Sequence, residues 1–185
     1  MSAQDALWAV AIEQYGYVTT NDARDSGIAP VAVRQLVHRG KLESAARGVY
    51  RFPKIPVTQY DAYMLAVLWT GSPAARLSHE TALANYETCD INPERIHLCV
   101  PRSARIRRKG GEMYVLHYEG FGAEDESWWC GIPTVTLAAA MRQCIATGTP
   151  ADLVRQALEN GRRNGLLLPG EVAGLEQRLA ERAGR

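Results

Sequence analysis

Two adjoining segments, Ile28-Ala-Pro-Val-Ala-Val-Arg-Gln-Leu-Val-His-Arg-Gly40 and Lys41-Leu-Glu-Ser-Ala-Ala-Arg-Gly-Val-Tyr-Arg-Phe52, decide the fold of the N-terminal part of the chain. Pro30 stands where a first helical turn tolerates proline, because its missing N–H has no intrahelical partner there. Val33, Leu36 and Val37 recur at helical spacing as an inward stripe, and Gly40 closes the helix. That stripe turns Val31, Arg34, Gln35 and His38 outward, with Arg39 and Lys41 at the C-terminal end. The second segment reads as two short strands around an Ala-Arg-Gly turn, because Val49, Tyr50, Arg51 and Phe52 alternate at strand period.

Upstream, Leu7, Val10, Ala11 and Tyr15 mark a helix that Gly16 stops. Thr19-Thr20-Asn21-Asp22 is a run of good N-cap residues before a short helix ended by Gly27. Helix, short helix, tight turn and a third helix with outward Arg and Gln is helix-turn-helix spacing, and the trailing hairpin makes it winged.

The charge is concentrated in the same place. The 185 residues carry 21 Lys+Arg against 20 Asp+Glu. Between Pro30 and Lys54, six cations (Arg34, Arg39, Lys41, Arg47, Arg51, Lys54) face the single anion Glu43. A local cationic surface on a helix-turn-helix is the electrostatic footprint of a nucleic-acid reader. A solvated helical face, or a module that binds another protein, also carries arginines.

Pro53-Lys-Ile-Pro56 reads as a linker, since two prolines in four residues discourage a helix across it. The expected fold class is therefore α+β: an N-terminal winged helix-turn-helix over residues 1–54, then a mixed α/β C-terminal domain over 57–185 ending in helices. In that second part, Tyr60 to Trp69 reads as a buried helix and Ser78 to Tyr86 as another, with Ser78 as its N-cap. Ile96–Val100 and Met113–Tyr118 alternate as strands. Thr134-Val-Thr136 starts a helix with an apolar face, and two more helices follow, near 150–160 and 170–182.

Several chemistries are excluded by pattern. No GxxxxGK[ST] or GxGxxG occurs, and none of the three lysines stands two places after an acid, as a restriction-type nuclease motif requires. Ser78-His79-Glu80 is no catalytic triad, because consecutive helical residues point about 100° apart; it reads as a helix cap and a partly buried histidine. Cys89, Cys99, Cys130 and Cys144 form no CxxC pair and read as buried free thiols, and no metal or cofactor is expected. Glu119, Glu124, Asp125 and Glu126 read as a solvated acidic run. The stretch Arg102, Arg105, Arg107, Arg108, Lys109 fits two readings, a second phosphate contact or a solubilising loop.

The longest apolar run, Ala62 to Trp69, is eight residues against about 20 for a membrane span. The N-terminus lacks the basic region of a signal peptide. These features lead to the expectation of a soluble, cytoplasmic protein that makes no membrane contact and is not an enzyme.

With the pieces in order, the chain resembles the AbiEi antitoxin family of bacterial type IV toxin–antitoxin systems. The resemblance rests on Gly16-Tyr-Val-Thr-Thr-Asn-Asp-Ala, Gly27, Val33-Arg-Gln-Leu-Val-His-Arg-Gly40-Lys-Leu and Arg47-Gly-Val-Tyr50. It continues through Leu77-Ser-His-Glu-Thr-Ala82 and Gly131-Ile-Pro-Thr-Val-Thr-Leu137. It implies a two-domain regulator. The winged helix would bind inverted repeats in its own promoter, and the C-terminal domain would counter a nucleotidyltransferase-like toxin without a stable complex. It also implies dimerisation on DNA. On this reading Val31, Arg34, Gln35, His38, Arg39, Lys41, Arg47 and Arg51 bind double-stranded DNA. Tyr50 is left open between core and contact. The alternative is a protein-interaction module, or a general transcriptional regulator unconnected to a toxin.

Overall fold

The computed structural model describes residues 2–184, and its contacts group them into two compact units. The first unit holds α1 (Ala3–Glu13), β1 (Tyr17–Thr19), α2 (Thr20–Asp25), α3 (Pro30–His38), β2 (Glu43–Ala46), β3 (Val49–Arg51) and α4 (Asp61–Thr70). This order, with an antiparallel three-stranded sheet β1-β3-β2, fits a winged helix.

Local chemistry sets the element boundaries. At the start of α1, the Ser2 N–H donates to Asp5 while the Asp5 N–H donates to the Ser2 hydroxyl. Thr19 and Asp22 repeat that reciprocal cap at α2. Pro30 occupies the first turn of α3, as its missing donor allows. At the turn between β2 and β3, Gly48 has φ +73°, and a Cβ there would lie 3.0 Å from the Thr20 hydroxyl, so both the conformation and the space call for glycine. The Thr20 N–H donates to the Gly48 carbonyl at 3.0 Å, tying the hairpin turn to α2.

Leu7, Ala11, Val18, Ala23, Val33, Leu36, Leu42 and Phe52 form the core of this unit, with the Trp8 ring edge-on to Phe52 at 5.1 Å. Burying side chains such as Leu7 and Phe52 stabilises the unit by roughly 1.5–3 kcal/mol each. Of the predicted inward stripe of α3, Val33 and Leu36 are buried and Val37 is half-buried against the same core.

The first unit extends beyond the 1–54 expected for the winged helix. It runs on to Ala75 and takes in Arg105–Gly111 and Cys130–Ile132. Asp61, at the N-terminal end of α4, accepts from Arg51 of β3 and from the N–H and hydroxyl of Thr58. Within the expected linker Ile55 lies half-buried against the first core, while Pro53, Lys54 and Pro56 are exposed.

The second unit carries β4 (Arg76–Leu77), α5 (His79–Asn85), β5 (Ile96–Val100), β6 (Tyr114–Tyr118), β7 (Glu126–Trp129), β8 (Ile132–Val135) except for Ile132, α6 (Leu137–Thr147), α7 (Ala151–Arg163) and α8 (Pro169–Ala183). Its five-stranded sheet has the order β6-β5-β4-β8-β7. The strands β5 and β6 run parallel, with His97 opposite Val115 and Cys99 opposite His117. The helices α5, α6, α7 and α8 supply most of the core, in which Ala138, Ala139 and Ala140 bring α6 close to its neighbours. No helix among the described residues is long and apolar enough to cross a membrane.

Candidate nucleic-acid interface

The helix α3 is anchored by Val33 and Leu36, and this anchoring fixes what it presents. Val31 is 52% exposed, and Arg34, Gln35, His38 and Arg39 are exposed with it. Lys41 follows, exposed, just past the helix end. The helices α1 and α2 each carry an aspartate in the first turn, whereas α3 carries no acid there. The partial positive charge at its N-terminal end is therefore not offset by a carboxylate of its own first turn. The outward face of α3 combines a guanidinium, a carboxamide, an imidazole and an apolar patch, the groups that can read base edges.

Arg47 is exposed in the turn between β2 and β3. Tyr50, left open by the sequence, is half-buried against the first core. Arg51 departs from expectation. Its guanidinium pairs with Asp61 at 3.1 Å, donates to the Phe52 carbonyl at 3.2 Å and the Ile55 carbonyl at 2.8 Å, and lies over the Tyr17 ring. The side chains of Arg51 and Asp61 are 13% and 6% exposed. Arg51 is a structural clamp between β3 and α4, and its donors are directed away from solvent.

The basic stretch is divided between the two units. Arg102 is exposed but grouped with the second unit, whereas Arg105, Arg107, Arg108 and Lys109 belong to the first. Arg105, Arg107 and Lys109 are exposed; Arg108 is half-buried and donates to the Arg47 carbonyl at 2.7 Å.

In the second unit the structure brings together three histidines that sequence reading did not connect. The rings of His79 and His117 stack with centroids 3.4 Å apart, and His97 Nδ1 lies 3.1 Å from His117 Nε2. His79 is 1% exposed and adopts φ +50°. Ser78 stands at the N-cap position of α5 but makes no capping bond; its hydroxyl meets His79 Nδ1 at 3.0 Å, while the His79 N–H donates to Gln143 Oε1. Glu119 lies 3.8 Å from His79 Nε2 and accepts from Gln143. Burial, then the neighbouring imidazoles, push the His79 pKa down to about 3, and the same causes push His117 down to about 4. Burial also lowers His97 and raises Glu119. At neutral pH this is a stack of uncharged rings. The signal available in the sequence was one histidine in each of two predicted strands, but only the parallel pairing of β5 and β6 makes them neighbours.

Other expectations are corrected by packing. The acidic run is not simply solvated: Asp125 pairs with Arg142, and Glu126 with Arg76 at 2.5 Å. Cys99 and Cys144 are buried thiols whose pKa burial pushes up to about 12, but Cys130 is exposed in the turn between β7 and β8, and Cys89 is half-buried. Among the described residues no group of three or more His, Cys, Asp or Glu has the geometry to hold a metal ion.

No curated protein matches the chain. Among solved structures it is similar to the RV2827C protein from Mycobacterium tuberculosis, a crystal structure, at 14% identity, covering 95% of this chain and 81% of that one with a TM-score of 0.48. Residues 6–53, from within α1 to just past β3, match the family model described as a transcriptional regulator, AbiEi antitoxin, so the likeness to the AbiEi family read from the sequence is shown over that segment.

Proposed function

We propose that the chain is the antitoxin and DNA-binding autorepressor of a type IV toxin–antitoxin operon, acting in the cytoplasm. The observation that carries the DNA reading is the exposed face of α3, held outward by Val33 and Leu36 and free of acid in its first turn. With α3 in the major groove, Arg34 matches guanine O6 and N7, Gln35 matches adenine N6 and N7, and Val31 meets a thymine methyl. His38, Arg39 and Lys41 meet phosphates beside the helix end, and Arg47 reaches the adjacent backbone or minor groove. Phosphate contacts set the register and α3 sets the sequence preference. Two copies on an inverted repeat would place two such helices in successive major grooves and block transcription from the promoter.

The antitoxin half of the proposal rests on the AbiEi likeness. The second unit would counter a nucleotidyltransferase-like toxin encoded beside it, without a stable complex between the two.

The test is binding of the purified chain to the duplex upstream of its own gene beside a scrambled duplex, each at two salt concentrations. The proposal expects preference for the native duplex, protein bound in multiples of two, and affinity that falls steeply with salt through counterion release. Absence of binding to either duplex at low salt would refute the DNA reading and favour a protein-interaction module. Co-expression with the neighbouring gene tests the second half, with rescue of growth by the full chain as the expected result.

A further inference from the structure

We propose that residues 105–111 form a second wing of the first unit, held in place by Arg108 and fitted to the phosphate backbone of double-stranded DNA beside the wing turn. This inference rests on the DNA reading above and extends its surface.

Five observations place the segment. Its contacts group Arg105–Gly111 with the first unit, although the residues on either side belong to the second. At its centre the Arg108 Nη1 donates to the Arg47 carbonyl at 2.7 Å, directly at the turn between β2 and β3. At its end the Trp69 indole N–H of α4 donates to the Lys109 carbonyl at 2.9 Å. Gly111 lies so close to the same indole that a Cβ there would stand 2.6 Å from Trp69 Cη2. Gly71, left-handed at φ +68° after α4, leaves the space that the Arg108 guanidinium occupies.

The anchoring divides the cations into two roles. Arg108 is half-buried and its guanidinium is committed to a backbone carbonyl, so it is a positioning residue. Arg107 and Lys109 flank it and are exposed. Among the described residues none of Arg47, Arg107, Arg108 and Lys109 takes part in a salt bridge. Arg108 meets the turn that carries Arg47, and its chain neighbours Arg107 and Lys109 are exposed, so cations gather here without an ion-pair partner and an approaching row of phosphates lowers their mutual repulsion. A duplex already engaged by Arg47 supplies such a row, because its charges recur every few ångströms along the backbone.

The experiment measures affinity of the full chain for its upstream duplex and for a scrambled duplex across a salt series, for wild type, Arg107→Ala/Lys109→Ala, Arg108→Ala, Arg47→Ala and the Arg47→Ala/Arg108→Ala pair. Removing two phosphate contacts lowers the slope of log affinity against log salt by about 1.8, so wild type loses about twelvefold more affinity than Arg107→Ala/Lys109→Ala between about 50 and 200 mM salt. The ratio of native to scrambled binding stays unchanged. Arg108→Ala weakens both duplexes and reduces the effect of Arg47→Ala by at least half, the non-additivity of a residue acting through another.

If Arg107→Ala/Lys109→Ala keeps the wild-type slope while Arg47→Ala lowers it, the second wing is refuted and the DNA reading stands. If wild type binds neither duplex, both fall. Arg107 and Lys109 are exposed, so their variant decides the matter even if Arg108→Ala fails to fold.

Discussion

Lowering the pH from 7 to 5 will destabilise the second unit selectively, through His79 and His117. Both titrate in the folded protein well below the usual 6.5, at about 3 and about 4, because burial and the facing imidazoles disfavour their charged forms. The unfolded chain binds these protons near 6.5 and the folded chain does not. Stability is therefore complete above that value and is lost as the pH falls toward the folded values. Between pH 7 and 5 each group contributes a loss of about 2 kcal/mol, so the pair costs about 4 kcal/mol, a large part of the 5–15 kcal/mol that stabilises a typical domain.

Other groups in the cluster modify this loss. His97 is also held low, by burial and by Arg95 against the pull of Glu80, and adds to it. Glu119 acts in the opposite sense, because burial raises its pKa and its protonation on acidification favours the folded state. Its contribution sets in as the pH falls through that raised value and offsets part of the loss, so the histidine rings are followed one by one.

Urea unfolding at the two pH values measures the effect. At 1–3 kcal/mol per molar urea, a loss of about 4 kcal/mol moves the midpoint down by roughly 1–4 M. The transition of the first unit, which contains none of the three histidines, is the internal reference. Imidazole carbon shifts give the titration of each ring directly, and His117→Gln should remove about half of the pH dependence. Equal stability of the second unit at pH 5 and 7, or a His79 ring that titrates near 6.5 in the folded protein, would refute the reasoning.

The remaining predictions concern the first unit. Arg34→Ala should cost about 1–3 kcal/mol in binding to the native duplex and relax one base position, whereas Arg47→Ala should weaken all sequences and flatten the salt slope; unchanged affinity and preference in Arg34→Ala would overturn the assignment of α3. Arg51→Ala leaves Asp61 buried without its cation, so it should lower stability by about 3–5 kcal/mol while the salt slope of the folded protein stays at the wild-type value. A reduced slope would return Arg51 to the DNA surface. Leu7→Ala opens a cavity in the first core and should cost about 2–5 kcal/mol in chemical denaturation, with the second unit's transition unmoved.

Which features were legible in the sequence follows from how far apart the determining residues lie. The face of α3 is fixed by residues within ten positions: Pro30 starts the helix, Gly40 ends it, and Val33 with Leu36 set its rotation. The hairpin turn is likewise local, since Gly48 alone supplies the backbone conformation required. Alternation along a strand says which residues share a face but not what the next element brings to Arg51. Asp61, ten positions on, captures its guanidinium. The same limit hid the link between Arg108 and Arg47, 61 positions apart, and the stack of His79, His97 and His117, which requires α5, β5 and β6 to be assembled first.

These captures change what the local charge excess means. Of the six cations between Pro30 and Lys54, Arg51 is neutralised internally by Asp61, so the surface there is less basic than the sequence suggests. In the second unit, Arg76 and Arg142 are likewise paired with Glu126 and Asp125. The cations left exposed on the first unit include Arg34 and Arg39 of α3, Lys41 just past it, Arg47 in the wing turn, and Arg107 and Lys109 of the anchored basic segment, with Arg24 of α2 and Lys54 besides. With a net charge of only +1 the whole chain exerts little long-range pull on DNA, so the binding proposed above acts through local clusters of cations at short range. On the reading proposed above, the phosphate contacts of these cations supply the sequence-independent part of the affinity. On the same reading, discrimination between an operator and other DNA falls to Arg34 and Gln35, which α3 holds outward and whose side chains match base edges.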